Sequence, residues 1–215
     1  MNPRSTSRTR PQSLRVRMKE EARAAILDAA EQVLVKQGFR ATRMDDIAVH
    51  VGVSVGTLYN YFEDKQQLLQ ALLEVRAREL LATIDAELER SQGAPYRARL
   101  HGFLRCILEH SRSHFRLFSE LLEEGVRHGR TDSDRERRRQ QEMSQELSRR
   151  VELLNQEGVK QGALRPEDAR HYPTLLLGMV WSVLVQQFVV KQPLAVDEAI
   201  APLMRCFLEG ATPRP

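Results

Sequence analysis

Two short runs of helical periodicity joined by Gly52-Val53-Ser54 constrain this chain more than any other feature; they lie in residues 42–65, TRMDDIAVHVGVSVGTLYNYFEDK. In the first run, Ile47, Ala48 and Val51 fall on one side. Asp45 stands where a helix N-terminus favours an acid, and the Thr42 hydroxyl is placed to accept from the Asp45 N–H. Gly52 ends that helix, and Ser54 caps a second one, expected over Val55–Phe62. Two short helices with so tight a Gly-containing turn form a helix-turn-helix.

The second helix carries the chemistry. Leu58 and Phe62 are four apart and share the face that packs inward. At about 100° per residue, Asn60 stands opposite that face, with Gly56 and Thr57 beside it. Aromatics at helical spacing are usually core, and Phe62 fits that reading. Tyr59, Tyr61 and Phe62 cannot all be core on so short a helix, so at least one tyrosine points outward. The exposed face holds no charge, only hydroxyls, an amide, phenols and bare glycine backbone, which suits a helix lying in a DNA major groove. Gly56 permits close approach, and Asn60 can pair bidentately with an adenine edge. Val55 and the Thr57 methyl can touch thymine methyls, while the hydroxyls of Thr57, Tyr59 and Tyr61 can donate to phosphates.

Charge is distributed to match. Residues 1–19 hold Arg4, Arg8, Arg10, Arg15, Arg17 and Lys19 and no acid; taking those six charges from a net +4 leaves −2 on the remainder. A Ser/Thr/Pro/Arg-rich arm over residues 1–18 cannot bury a core and suits a polyanion, whether nucleic acid or an anionic lipid surface.

The rest of the periodicity is helical, with no strand-like alternation. Helices are expected over about 19–37, ending at Gly38, and from Asp64 to the break at Gly93 and Pro95, with Leu68, Leu72, Val75, Leu80, Ile84 and Leu88 as a stripe. Others follow over about 96–112 and 114–126; then comes an exposed loop and solvated helix start over 127–142, then a stripe of Met143, Leu147, Val151 and Leu154 that Gly158 and Gly162 terminate. The last two run from Pro166 to about Val190 and over about 196–208; Pro173 and Pro202 fall inside them, implying a kink or a later start. The total is about nine helices in an all-α fold. The most apolar stretch, Leu175–Val185, is 11 residues long, against the about 20 that span a bilayer, so it reads as a buried helix with no membrane partner. No apolar run follows the basic N-terminus as a secretory signal would require, and Cys106 and Cys206 make no disulfide framework, so a cytoplasmic protein is expected.

The string AVHVGVSVGTLYNYFEDKQQLL resembles the signature of the TetR/AcrR family of bacterial transcriptional regulators, in which a G-V-S turn leads into G-T-L-Y-x-Y-F followed by a Lys. Gly38-Phe39 and Thr42 with Ile47-Ala48 match as well, so the resemblance covers about residues 20–75. Val55 departs from it, since many members carry Lys or Arg there, which moves electrostatic weight onto Arg43, Lys65 and the arm. The resemblance implies phosphate contacts from Thr42, Thr57, Tyr61 and Lys65, and base-facing positions at Val55, Gly56 and Asn60. It also implies a three-helix DNA-binding domain over 19–65 and a larger helical ligand-binding and dimerisation domain over 66–215, paired through the helices at about 167–190 and 196–208. The function so implied is a ligand-responsive homodimeric repressor on a pseudo-palindromic double-stranded operator.

A pocket for a small, largely apolar effector is expected from Phe103, Ile107, Phe118, Met143, Leu147, Met179 and Trp181, with His110, Gln186 and Gln187 as polar handles. The same residues also read as solid core, with Met179 and Trp181 as core or subunit interface first. Cys106, His110 and His114 have i, i+4, i+8 spacing, but Ser111–Ser113 are expected to break the helix and no carboxylate stands at matching spacing, so neither metal nor other cofactor is expected. The run Arg135–Arg139 is diluted by Asp132, Asp134, Glu136 and Glu142 and reads as a solvated face. No nucleophile–base pair or phosphate cradle appears, so an enzyme is not expected. Two rivals stay open: a constitutive DNA-binding protein on this fold, and a helical protein–protein adaptor.

Overall fold

The computed structural model describes residues 14–119, 134–193 and 195–211. It is all-α, and the chain divides into two compact units between Leu72 and Leu73, within one long helix.

The first unit holds α1 (Leu14–Gln37), α2 (Met44–Val51), α3 (Val55–Tyr59) and the start of α4 (Lys65–Arg90). α1 begins at Leu14 rather than Lys19, because Leu14, Arg15, Arg17 and Met18 are straight-chain residues that lose little freedom in a helix. Residues 1–13 of the expected arm lie outside the described residues. Ile26, Leu27, Ala30, Val33 and Leu34 of α1 bury one face, and Gly38 ends the helix at φ 82° with its N–H on the Leu34 carbonyl. Against that face pack Met44, Ile47 and Ala48 of α2, and Leu58 and Phe62 complete the core. The N-cap of α2 is Arg43, not Thr42: the Thr42 hydroxyl donates to the Gly38 carbonyl at 2.8 Å, and the Asp46 carboxylate accepts from the Arg43 N–H at 3.0 Å.

The second unit holds the rest of α4, then α5 (Tyr96–Ser113), α6 (Asp134–Lys160), α7 (Tyr172–Val189) and α8 (Val196–Ala211), with a further helical stretch at residues 115–119. Its core joins Leu80 and Ile84 to Phe103, Leu104 and Leu108, with Val151, Leu154, Leu176, Val180, Leu203 and Phe207. Ser111–Ser113 do not break α5, which stops only at His114. The helix start expected near 127–142 is Asp134, while residues 120–133 and the side chains of Arg135–Arg139 lie outside the described residues. Gly158 does not terminate α6. It is buried inside the helix, and a Cβ there would stand 2.8 Å from Tyr96 Cδ2 and 2.9 Å from Leu164 Cδ1. The helix ends near Gly162, at φ 70°. Pro173 gives a later start, since it sits in the first turn of α7 where its missing N–H costs nothing, and α8 runs through Pro202.

α7 corrects the expectation of a buried helix. It is 18 residues long and, by length and composition, the one helix among the described residues apolar enough to cross a membrane, yet only 22% of it is buried. One side docks into the unit through Tyr172, Leu176, Val180 and Gln187. The other presents Leu175, Trp181 and Val189, which are 56%, 57% and 70% exposed.

Candidate nucleic-acid interface

The helix-turn-helix is built from local bonds. Gly52, at φ 81°, lets the chain leave α2, and the Gly52 and Val53 N–H groups both bond the Ala48 carbonyl at 3.0 Å. Ser54 then opens α3, its hydroxyl accepting from the Thr57 N–H at 3.1 Å and lying 2.7 Å from the Thr57 hydroxyl. α3 ends at Tyr59, shorter than the expected run to Phe62, and Asn60 is its C-cap. Helical bonds nonetheless continue through the cap, from Asn60 N–H to the Gly56 carbonyl and from Phe62 N–H to the Leu58 carbonyl. Leu58 and Phe62 therefore still point inward together, fully buried.

The opposite face is open. Ser54, Gly56, Tyr59 and Asn60 are exposed, and Val55, Thr57 and Tyr61 are half-buried. The nearest atom to a Cβ built at Gly56 is the Ser54 hydroxyl at 3.9 Å, so only hydrogen separates this backbone from whatever lies against it. Arg43 is exposed at the head of α2 and lies 3.4 Å from Asp45, a solvent-facing pair that a phosphate can displace at small cost. These seven residues and Arg43 belong to one continuous segment, residues 43–61.

Two of the expected phosphate contacts are bonded within the chain. Thr42 is 1% exposed, with its hydroxyl spent on Gly38. The Lys65 ammonium lies 2.6 Å from the Phe39 carbonyl and 2.9 Å from that of Thr42. Sequence reasoning missed Phe39, whose ring lies 4.4 Å beneath that ammonium; its one signal is the Gly38-Phe39 pair.

A model of "Bacterial regulatory proteins, tetR family" matches residues 26–72. The HTH-type transcriptional regulator TtgR of Pseudomonas putida is 46% identical over 61 residues, which are 27% of this chain and 29% of that protein. Residues 26–72 are thus similar to the N-terminal region of TetR-family regulators. The similarity to the HTH-type regulator YhgD of Bacillus subtilis extends over 89% of this chain and 96% of that one, at 25% identity. The fold is shared throughout with FadR from Bacillus subtilis, solved in complex with stearoyl-CoA, at TM-score 0.71 and 17% identity over 87% of this chain and 98% of that one. These relatives are named as transcriptional regulators and not as enzymes, and the family match falls on the helix-turn-helix.

The second compact unit gathers most of the residues expected to meet an effector. Phe103 and Ile107 are buried in the core, and Met143, Leu147 and Met179 pack against it half-buried. His110 and Phe118 form an aromatic group with His114, the two imidazoles 4.7 Å apart and Phe118 6.2 Å from each. Trp181 is not brought to them, because it lies on the exposed side of α7, and Gln186 is exposed as well. Gln187 does point inward. It is 2% exposed, its Nε2 donates to the Ser111 hydroxyl at 2.7 Å, and its Oε1 finds no donor among the described residues. The Cys106 thiol donates to the Thr83 carbonyl at 3.9 Å. Burial, with the Glu87 and Glu109 carboxylates nearby, pushes that thiol up to about 11. An open groove of about 620 Å³ lies between the start of α5 and α8, floored by Ile200 and Met204, and shares no residue with the expected pocket.

Proposed function

We propose that this chain is a ligand-responsive repressor that occupies a pseudo-palindromic operator as a homodimer in the cytoplasm and is released by a small, largely apolar molecule. The reading rests on α3, whose charge-free face is exposed and held outward by the Ser54 cap and the buried Leu58–Phe62 pair. Asn60, Gly56 and Val55 read base edges, while Arg43, Thr57, Tyr59 and Tyr61 hold phosphates, with Ser54 setting the helix start. Residues 1–18 serve as a basic arm, 19–65 as the DNA-binding domain and 66–215 as the effector and dimerisation domain.

Dimerisation is supported by α7. Leu175, Trp181 and Val189 form an apolar stripe around Gly178, beside which a Cβ would meet no atom of the described residues within 4 Å. A stripe of this kind on a soluble helix marks an interface, and a second copy seated there sets the spacing of the two α3 helices across successive grooves. Effector binding is supported by the apolar cluster and by the Gln187 Oε1, which has no donor among the described residues and can take one from a ligand. Because a fold neighbour was solved with stearoyl-CoA, fatty acyl compounds are the first class to screen.

A gel shift on the chain's own upstream region, with and without fatty acyl compounds and apolar drugs, tests the whole reading. Binding that an effector abolishes is the expected result, and no shift at all refutes it. One observation favours a second reading, a constitutive DNA binder: Phe103 is fully buried and Ile107 nearly so, as in a solid core. Operator binding that no compound in the screen weakens would select it.

A further inference from the structure

The groove of about 620 Å³ between α5 and α8 is open because its walls are short. Ala98 on α5 and Ala201 on α8 both line it and are exposed, and a methyl group from each wall leaves the floor uncovered. Ile200 and Met204 make that floor, and both are otherwise packed into the core. Around it stand Arg97 and His101 from α5 and Arg205 from α8, all exposed. Among the described residues the lining holds one acid, Asp197, which already pairs with Arg105 at 2.6 Å. Along α5 the lining runs from His101 back to Pro95, away from Arg105, and along α8 it runs from Asp197 forward to Arg205. The Arg97 and Arg205 guanidiniums therefore share the far end, and neither bonds or pairs with a described residue.

We propose that this groove is a binding site for an amphipathic anion, an aliphatic carboxylate whose head pairs with Arg97 and Arg205 and whose chain lies along Ile200 and Met204. The site goes beyond the effector reading above, since it shares no residue with the pocket expected around Phe103, Met143 and Met179. Like charges that share one end of a cleft raise the potential there, and an anion between them removes the repulsion. A carboxylate suits the pair best, because its two oxygens match the fork of a guanidinium. An apolar chain suits the rest. The volume lies in the range of small-molecule sites, and the floor offers only hydrocarbon and a thioether, so a chain laid there leaves water without losing a hydrogen bond. A head without a chain forgoes the floor, and a chain without a head leaves the guanidiniums unpaired. The stripe proposed to join two copies lies on α7, and no described α7 residue lines the groove, so ligand and partner copy do not compete for the same side chains.

The test uses the full chain without DNA, isotope-labelled at its methionine methyl groups and titrated with decanoate under NMR. Decanoate should shift the Met204 methyl saturably, with a dissociation constant below about 1 mM, and leave those of Met143 and Met179 in place. Decanol and acetate, each lacking one half of the chemistry, should bind at least about ten-fold more weakly. Replacing the head's partners together, Arg97→Gln with Arg205→Gln, should weaken decanoate by about ten-fold or more, and so should filling the groove with Ala201→Phe. All three positions are exposed, so both variants should melt with the wild type. Shifts confined to Met143 and Met179 would overturn the proposal, as would wild-type affinity in either variant. Decanol or acetate binding as tightly as decanoate, or no saturable shift at all, would overturn it too. None of these readouts involves DNA, so the repressor reading stands or falls separately, on the gel shift.

Discussion

Adding one methyl group at Gly158 should destabilise the protein, while the same change at Gly102 should not. Both glycines are helical, and both Cβ positions meet atoms closer than van der Waals contact. At Gly158 the obstacles are Tyr96 Cδ2 at 2.8 Å and Leu164 Cδ1 and Tyr96 Cε2 at 2.9 Å. Tyr96 cannot yield: it is 1% exposed, its phenol donates to Asn155 Oδ1 at 2.7 Å and its N–H donates to Gln161 Oε1 at 2.7 Å. Overpacking of this kind costs about 1–3 kcal/mol. Replacing a helical glycine by alanine returns roughly 0.5–1 kcal/mol. With two rigid partners, the net for Gly158→Ala is a loss of about 1–2 kcal/mol, a fall of about 2–8 °C in melting temperature for a chain of this size. At Gly102 the obstacle is the Glu87 carboxylate, the far end of a flexible side chain whose partner is the exposed Arg90. Moving it sacrifices a surface pair worth about 0–1 kcal/mol, which the helical gain offsets. Gly102→Ala should therefore melt within about 2 °C of the wild type. Calorimetry on the three proteins decides. A Gly158→Ala protein as stable as the wild type would refute the claim that Tyr96 is immovable.

Asn60→Ala should lower affinity for the operator by roughly 1–3 kcal/mol while leaving binding to scrambled duplex unchanged; an equal loss on both would show that Asn60 reads no base. Deleting residues 1–13, which removes Arg4, Arg8 and Arg10, should flatten the salt dependence by roughly 0.9 in log–log slope for each phosphate the arm no longer neutralises, and an unchanged slope would place the arm off the DNA. Trp181→Asp should shift the protein to monomer in analytical ultracentrifugation at micromolar concentration, since it puts a charge on the exposed stripe of α7; an unchanged dimer would move the interface elsewhere. Iodoacetamide at pH 8 should modify the exposed Cys206 and spare Cys106, whose thiol, pushed up to about 11, stays protonated there; mass spectrometry showing equal rates would contradict the burial assigned to Cys106.

What is legible in the sequence divides by the distance to the partner that decides each residue's role. Ser54 reads correctly as a cap because its partner, the Thr57 N–H, is three residues away, and Gly52 reads correctly because its φ of 81° is its own. Thr42 stands between two local choices: the same hydroxyl can accept from the next helix or donate back to Gly38, and only the burial of its side chain selects the second. The length of α3 differs for a similar reason, since Asn60 and Phe62 keep helical bonds while the run itself stops at Tyr59. Gly158 and Gly162 look alike near a helix end, and Tyr96, far back in the chain, makes one a packing point and leaves the other a terminator.

α7 shows the same limit on a larger scale. A helix apolar on all sides reads as buried, but periodicity cannot say whether one chain covers it, and here Trp181 and Leu175 stay exposed. Lys65 is the sharpest case. Its place after α3 carries no sign of the carbonyls it bonds, which lie 23 to 26 residues upstream, beyond any spacing rule. The residues of α3 proposed to face DNA stay legible because their partners lie within α3 and its cap, so an exposed position at the right helical angle is most of the structural requirement. Residues that hold such a face in place must reach across the fold, so a DNA-reading surface can be read from sequence more fully than the scaffold that aims it.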